Sequence, residues 1–230
     1  MSLVIAVDGT DASGKKTQSD MLAETLREKY GLKVVEVSFP DYEDKSSTLV
    51  KMYLAGEFGS KADDTNAYAA SSFFAVDRYA SFVRHWKKEY EEPCTVIILN
   101  RYTTSNAVHQ LCKITDEAER KAFLEWLYDY EFVKLGLPVP NLVYFLDMPP
   151  EYAERLLDGR CDETGAKKDI HEADKAHLLA AYNAARYTCN AWGWTHVECV
   201  KDGETRSRED IAAQVLDICV SALKDRNILK

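Results

Sequence analysis

Near the start of the chain, a short segment has the residue types and spacing of a phosphate-binding loop. Gly9 and Gly14 are separated by four residues and Lys15 follows, in the pattern Gly-x-x-x-x-Gly-Lys. Residues 3–7 before them form an uncharged apolar run typical of a buried strand, and apolar residues after them recur at helical spacing. Between a strand and a helix, backbone N–H groups of such a loop converge on an anion, and the lysine adds a mobile positive charge. The motif normally ends in Ser or Thr, whose hydroxyl binds Mg²⁺, but here Lys16 stands at that position.

Two further groups have the chemistry to bind a planar ligand and a second phosphate. Phe74 and Arg78 are four residues apart in a helical pattern, so they share one face and can address one planar ligand. Arg101 follows the clearest central strand, where ligands bind in open α/β sheets, and its guanidinium suits bidentate binding of phosphate. The plainer alternatives are a core role for Phe74 and a structural salt bridge for Arg101. With a basic, polar segment over residues 158–172 as a lid that excludes water, these groups indicate a small kinase.

Alternating strand and helix patterns must position these groups. Apolar runs predict five strands, at residues 3–7, 33–37, 95–99, 142–146 and 195–200. Helical spacing and capping residues predict helices that follow the loop to residue 30 and cover residues 46–54, 66–91, 103–112, 117–135, 149–157, 175–192 and 207–225. This alternation predicts an α/β fold, a doubly wound and mainly parallel five-stranded sheet flanked by helices. We expect one domain over residues 1–230, with the lid at about 158–172.

The composition excludes several classes of partner. The formal net charge is −9, from 38 acidic and 29 basic residues, which disfavours sequence-independent binding to nucleic acid polymers or anionic membranes. No apolar run approaches the length of a membrane span, and no signal peptide is visible. The six cysteines are scattered without a Cys-x-x-Cys pair, which predicts reduced thiols in a cytoplasmic protein.

Taken in order along the chain, these landmarks resemble the thymidylate kinase family of P-loop nucleoside monophosphate kinases. The resemblance extends from residue 3 to about residue 186, and its specificity lies in the ordered set rather than in any one string after the loop. The landmarks are Gly9-Thr10-Asp11-Ala12-Ser13-Gly14-Lys15 with Thr17-Gln18, Phe39-Pro40, Phe74-Ala75-Val76-Asp77-Arg78, Asn100-Arg101-Tyr102 with Ser105 and Gln110, Gly136-Leu137-Pro138-Val139-Pro140-Asn141-Leu142, and Asp169-Ile170-His171-Glu172. The resemblance implies a P-loop kinase fold and ATP-dependent phosphorylation of dTMP to dTDP.

The same resemblance implies an acceptor site for dTMP. Asp11 corresponds to the residue for the 3′-hydroxyl of the deoxyribose, although an Asp turn that stabilises the loop is the plainer alternative. Phe74 corresponds to the ring that stacks on thymine, Arg78 to the donor to the base carbonyl, and Arg101 to the arginine that grips the acceptor phosphate. His109 stands where the family often has Tyr. The implied substrate-binding set is Asp11, Phe39, Phe74, Arg78, Arg101, Ser105, Gln110 and His171.

On the donor side, the resemblance implies that ATP binds the loop. The implied ATP-binding residues are Gly9, Asp11, Ala12, Ser13, Gly14, Lys15, Lys16 and Thr17. Ala12 stands where some members carry a catalytic arginine, and members without it place basic residues in the lid. The implied catalytic set is therefore Lys15, Arg101, Arg160 and Lys168. For either lid residue alone, a place in a charged surface loop is the plainer alternative.

Two departures from the family pattern concern the Mg²⁺ that accompanies ATP. Lys16 replaces the metal-binding hydroxyl, and Asn100 replaces the acid of the usual Asp-Arg-Tyr. An ammonium group has no lone pair for a metal, and an amide oxygen carries no charge. Asp8 is the closest candidate acid. Our hypothesis is that Mg²⁺ is bound mainly through the nucleotide phosphates, and that Lys16 offsets part of their charge.

Two other functions stay open from the sequence. A related kinase acting on a nucleoside needs a base for the 5′-hydroxyl, and Asp41 or Glu43 would have to serve; a kinase for another monophosphate is also open. The metal-site departures alternatively suggest a catalytically weak nucleotide-binding homologue. A switch GTPase is disfavoured because the chain has no Asn-Lys-x-Asp string. By resemblance, we also expect a homodimer that packs through the helix over residues 66–91.

Overall fold

Five parallel strands form the centre of the fold, and across the sheet they lie in the order second, third, first, fourth and fifth along the chain. Our computed structural model describes residues 2–59, 61–156 and 175–229. The strands are β1 (Leu3–Gly9), β2 (Val34–Ser38), β3 (Val96–Asn100), β4 (Leu142–Asp147) and β5 (Thr195–Glu198). Within the sheet, Ile5 of β1 pairs with Ile98 of β3 on one side and with Leu142 of β4 on the other. The predicted α/β fold with a five-stranded sheet is confirmed, and every strand pair in that sheet is parallel.

Helices connect the strands. They are α1 (Lys15–Tyr30), α2 (Thr48–Leu54), α3 (Ala67–Ser81), α4 (Lys87–Glu91), α5 (Thr103–His109), α6 (Glu117–Tyr128), the described part of α7 (residues 150–156), α8 (Lys175–Trp192) and α9 (Arg208–Asp225). Asn66, Asp116 and Ser207 cap α3, α6 and α9, each accepting a hydrogen bond from the backbone N–H three residues on. Of the helices described, none has the length and apolar character needed to cross a membrane.

Both faces of the sheet are buried along its central strands β1 and β3. Leu3, Ile5 and Val7 of β1 pack in one core cluster with residues of α1 and α9, whereas Val4 and Ala6 pack on the opposite face with the segment that follows α3. Burial on two faces explains why these strands are continuous apolar runs. The C-terminal end of β1 is buried as well, and the phosphate loop follows directly from it.

The structure corrects several predicted helix ends. The helix predicted over residues 66–91 is interrupted by a π-helical segment, Phe82–Trp86, between α3 and α4. A second π-helical segment, Asp129–Lys134, continues α6 within the helix predicted over residues 117–135. A π turn holds an extra residue, so it rotates the apolar face in a way that a regular helical period does not anticipate. Helix α5 is also shorter than predicted, because a 3₁₀ turn, Leu111–Lys113, follows it.

A small hairpin lies where the last strand was expected to continue to residue 200. Strand β5 ends at Glu198, and β6 (Val200–Lys201) pairs antiparallel with β7 (Glu204–Thr205). Asp202 and Gly203 at the turn have φ of 54° and 81°. An Asp-Gly pair with positive φ is a strong signal for a two-residue hairpin turn, so the sequence contained this information.

Candidate active site

The phosphate loop joins β1 to α1 in a geometry that requires glycine. A Cβ at Gly9 would lie 2.7 Å from the backbone oxygen of Leu146 in the neighbouring β4, and 2.7 Å from Ser13 Oγ. Gly14, immediately before α1, has a left-handed backbone with φ of 86°. The loop therefore packs tightly against β4 and turns sharply into the helix.

The two lysines after the loop contact different parts of the molecule. Lys15 Nζ donates to the backbone oxygens of Gly9 (3.0 Å) and Thr10 (2.7 Å), so its ammonium lies across the loop. Lys16 Nζ lies 2.7 Å from the Asp20 carboxylate one turn along α1, and the Lys16 side chain is 73% exposed. An exposed pair of this kind contributes a few tenths of a kcal/mol, roughly 0.3–0.5. Lys15 is thus the lysine within the loop, whereas Lys16 is bonded to its own helix.

An ion pair connects the phosphate loop to the end of β3. Arg101, the first residue after β3, has a left-handed backbone with φ of 63°, which is uncommon for a non-glycine residue. Its Nη2 donates to Asp11 Oδ1, and its Nη1 lies 3.2 Å from His109 Nε2. Burial raises the pKa of Asp11, but the positive charge of Arg101 beside it outweighs burial and holds that pKa well below its usual range. Asp11 is therefore a carboxylate throughout the physiological pH range.

Two clefts share this ion pair as part of their walls. The first, named here the phosphate-loop cleft, is lined by residues 11–18 together with Asn100, Arg101, Met148, Arg155, Leu156, Thr205, Arg206, Arg208 and Ile211. The second, named the aromatic cleft, has an empty volume of about 550 Å³ and is lined by Asp11, Phe39, Pro40, Tyr42, Leu54, Phe74, Arg101, Ser105, Asn106, His109 and Gln110. The loop residues and most of the predicted acceptor residues are thus brought to adjoining sites.

The wall of the aromatic cleft combines rings with polar groups. Phe74 is half-buried, with its ring edge-to-face on Tyr53 at 6.1 Å between centroids. Gln110 is buried, and its Oε1 has no hydrogen-bond partner among the described residues. An unpaired buried oxygen is costly, so it marks a place where a ligand donor is favourable. Of residues 41–43, only Tyr42 lies in the described wall, and neither Asp41 nor Glu43 does.

Arg78 lies in a buried ion pair instead of the described wall of the cleft. Its Nε and Nη2 donate to the two carboxylate oxygens of Glu131, at 2.7 and 2.6 Å, and both side chains are almost completely buried. Thr103 Oγ1 (2.6 Å) and Asn106 Nδ2 (3.1 Å) donate to the same carboxylate. Asn106 is the member of this network that lines the aromatic cleft.

Comparison with known proteins identifies the family. The family model described as thymidylate kinase matches residues 7–196, which include the whole described wall of the aromatic cleft and the phosphate loop. The chain belongs to the thymidylate kinase family. It is therefore a phosphotransferase, and the resemblance found in the sequence motifs is confirmed.

Three similar proteins illustrate the spread of this family. A thymidylate kinase of Mycobacterium tuberculosis is 31% identical over 194 residues, which cover 84% of this chain and 87% of the relative. A probable thymidylate kinase of Thermococcus gammatolerans is 29% identical, covering 74% of this chain and 77% of the relative. A thymidylate kinase of Caenorhabditis elegans is 27% identical, covering 66% and 65%.

Asp8, our candidate metal ligand, is committed to protein donors. It is fully buried, and its carboxylate accepts hydrogen bonds from Gly9 N (2.8 Å), Thr104 Oγ1 (2.5 Å) and Ser105 Oγ (2.8 Å). Ser105, predicted to line the base pocket, both lines the aromatic cleft and orients Asp8. Asp8 therefore supports the start of the phosphate loop and helix α5 from within the core.

The described side chains do not fit a Mg²⁺ ion held by protein carboxylates. Asp11 is the one acidic residue in the described wall of the phosphate-loop cleft, and it is paired with Arg101. Asn100 Nδ2 donates to Ser38 Oγ (3.1 Å), and its Oδ1 has no partner within the described structure. Mg²⁺ in phosphoryl-transfer sites is normally held by one or two carboxylates together with phosphates and water.

The sequence analysis missed two residues of the site, and three of the residues that it predicted lie outside the described part of the chain. Asn106 and Glu131 were missed, although Glu131 interrupts an apolar helical stripe that contains Leu124 and Leu127, a pattern that signals a buried charged partner. The predicted lid, about residues 158–172, lies outside the described residues, and so do Arg160, Lys168 and His171.

Proposed function

We propose that this protein transfers the γ-phosphoryl group of ATP to the phosphate of dTMP, giving ADP and dTDP. The observation that carries the proposal is the Asp11–Arg101 ion pair, which belongs to the walls of both clefts. A phosphate loop lies in one cleft and aromatic side chains lie in the other. Relatives named thymidylate kinase support the choice of substrates.

ATP binds the phosphate-loop cleft in this proposal. Backbone N–H groups of the loop hold its phosphates, and Lys15 exchanges its bonds to loop carbonyls for bonds to phosphate oxygens. Positive charge on the transferring group comes from Lys15, from Arg101 and from the proposed lid residues Arg160 and Lys168. Phosphoryl transfer depends chiefly on such positioning and charge stabilisation.

dTMP binds the aromatic cleft. Phe74 stacks on thymine, Gln110 pairs with the base edge, and Arg101 grips the phosphate through guanidinium donors that remain beside its bond to Asp11. The Asp11 carboxylate accepts from the 3′-hydroxyl of the sugar. Arg78 acts on this site through Asn106, since both are bonded to Glu131.

The metal enters with the nucleotide. Because the described cleft lacks an uncommitted carboxylate, we propose that Mg²⁺ is held by the ATP phosphates and water. When bound, it neutralises charge on the phosphates.

The proposal extends to the assembly. We propose one kinase domain over residues 1–230, with a lid at about residues 158–172, that forms a homodimer in the cytoplasm. Val76, Tyr79 and Val83 support the dimer, because they recur at helical spacing on the proposed contact helix and are 44–48% exposed. The five described cysteines are free thiols, as suits a reducing compartment.

An acceptor panel tests this function. ADP release is measured with ATP, with and without Mg²⁺, for dTMP, dUMP, dCMP, dGMP and thymidine. We expect the highest kcat/KM with dTMP, and we expect Arg101→Met to lower it far more than the exposed control Arg84→Met. Activity on thymidine but not on dTMP overturns the proposal in favour of a nucleoside kinase. Tight binding of dTMP and ATP by calorimetry without any product overturns it in favour of a nucleotide-binding homologue.

A further inference from the structure

Arg101, the arginine of the acceptor site, contacts His109 as well as its carboxylate partner Asp11, through different terminal nitrogens. One terminal nitrogen of Arg101 donates to Asp11, and the other lies 3.2 Å from His109 Nε2. A guanidinium has only donors, so His109 Nε2 must accept this hydrogen bond. An imidazole accepts at Nε2 only when it is neutral and carries its proton on Nδ1. The observed contact therefore specifies the neutral form of His109.

A second histidine fixes the ring of His109. The His177 ring is stacked on it, with centroids 6.2 Å apart and an interplanar angle of 15°, and both residues are buried. His177 lies in the first turn of α8, and Thr188 Oγ1 further along α8 donates to the backbone oxygen of Ala107 in α5 (3.0 Å). Helix α8 thus packs on α5 at two points. One of these points is His109, the last residue of α5.

We infer that His109 is a positioning residue for Arg101, that His177 holds the His109 ring in place, and that protonation of His109 weakens binding of the acceptor phosphate. This inference rests on the proposed function. Protonation removes the acceptor lone pair and places a second cation beside the guanidinium, so Arg101 loses one of its two supports. Its left-handed backbone makes that support important, because the residue does not rest in a favoured conformation.

The charged and titratable groups around His109 come from several elements. Asp11 of the phosphate loop favours the protonated ring, but its charge is already paired with Arg101. Arg101 and His177 oppose a positive charge on it. Cys112, whose Sγ contacts both the backbone oxygen of His109 and the His177 ring, is a neutral thiol because burial raises its pKa to about 12. Among the groups described here, the Asp11 carboxylate, already paired with Arg101, favours protonation of His109, whereas the Arg101 guanidinium opposes it.

The test uses two substitutions of His109 and one control. His109→Gln keeps an acceptor oxygen at the position of Nε2 but cannot gain a proton, and His109→Phe keeps the ring but has no acceptor. The control is His85→Gln, which changes an exposed histidine paired with Asp44. For each variant, the dTMP dissociation constant by calorimetry and the steady-state kcat and KM are measured from about pH 8 to about pH 5.5.

At about pH 8 we expect His109→Phe to raise the dTMP dissociation constant and KM about tenfold, the loss expected for one hydrogen bond to a charged group, with a smaller effect on kcat. His109→Gln should remain within about threefold of the wild type at that pH, and should lose less affinity than the wild type in acid. The dTMP phosphate titrates in every sample, so the comparison with His109→Gln and His85→Gln removes its contribution. A second arm tests the stack: His177→Ala should raise the KM for dTMP, and His177→Phe should not.

Parallel pH profiles for the wild type and His109→Gln overturn the inference, and so does wild-type affinity for dTMP in His109→Phe. Melting curves check that the variants are folded. If His109→Phe does not fold, the pH profile of His109→Gln alone decides the inference. Failure of the wild type to phosphorylate dTMP at about pH 8 is a different result. It overturns the proposed function, whereas the pH profiles of dTMP binding still decide the role of His109.

Discussion

The buried Arg78–Glu131 pair gives the sharpest prediction about the link between the core and the site. Glu131→Gln keeps the shape of the side chain but removes its charge and places an NH₂ donor where one carboxylate oxygen accepted. Four donors now meet at that carboxylate, from Arg78, Thr103 and Asn106. After the change, the Arg78 guanidinium is left as an uncompensated charge in a fully buried place.

The expected loss follows from this burial. Breaking a buried ion pair by removing one partner costs about 3–5 kcal/mol. For a chain of this size, each kcal/mol lowers the melting temperature by roughly 2–4 °C, so the melting temperature should fall by roughly 6–20 °C. Asn106 keeps its bond to the backbone oxygen of Ser71 but loses the charged acceptor, so its amide is held less firmly in the wall of the aromatic cleft and the KM for dTMP should rise.

Thermal unfolding followed by circular dichroism measures the loss, and coupled assays below the melting temperature measure KM. The matched control is Glu125→Gln on the preceding turns of the same helix, because Glu125 lies at the surface in an exposed pair with Lys121. That control should change stability by less than about 1 kcal/mol. The double variant Arg78→Met with Glu131→Leu should recover much of the lost stability, since an apolar pair leaves no buried charge. A melting temperature for Glu131→Gln within about 2 °C of the wild type would refute this reasoning.

Three further predictions follow from other contacts. Burial lowers the pKa of Lys113 from 10.5 to about 8, so the unfolded chain binds that proton more tightly. The free energy of unfolding should therefore rise between about pH 8 and 10.5. Urea titrations of Lys113→Met should show a smaller rise over this pH range, and a rise equal to that of the wild type contradicts the lowered pKa of Lys113. Lys16→Ser, which supplies the missing hydroxyl, should lower the Mg²⁺ concentration that gives half-maximal activity. It should change the free energy of unfolding by less than about 0.5 kcal/mol. An unchanged Mg²⁺ dependence counts against our account of the metal. Phe74→Leu should raise the KM for dTMP about tenfold through lost stacking, whereas Phe73→Leu, outside the described wall of the cleft, should not; equal effects contradict the stacking role.

Local sequence patterns were sufficient for the fold and the phosphate loop. The β1 strand is buried on both faces and is followed at once by the loop glycines, so apolar runs and spacing located it correctly. Helices α3 and α6 begin within one residue of their predicted starts, because their caps, Asn66 and Asp116, depend on residues only three positions away. The Lys16–Asp20 ion pair, at i and i+4 on one helix, also follows from local spacing, but our sequence analysis did not predict it.

Long-range contacts set the limit of prediction at the site. The family resemblance assigned Arg78 to the base, and its spacing from Phe74 put both on one helical face, but its guanidinium is bonded to Glu131, 53 positions away. No local pattern gives the depth to which an arginine is buried, because that depth depends on the partner that compensates its charge. The His109–His177 stack likewise joins residues far apart in the chain, so neither ring could be paired from the sequence.

The central claim is that the phosphate-loop cleft and the aromatic cleft are two halves of one site that meet at Asp11 and Arg101. The most direct measurement is a calorimetric titration with a molecule that carries adenosine and thymidine, joined through their 5′ oxygens by a polyphosphate chain. We predict that one molecule binds per chain, more tightly than ATP or dTMP alone, and that it displaces both of them. Binding of two molecules per chain, or displacement of only one nucleotide, would contradict the claim.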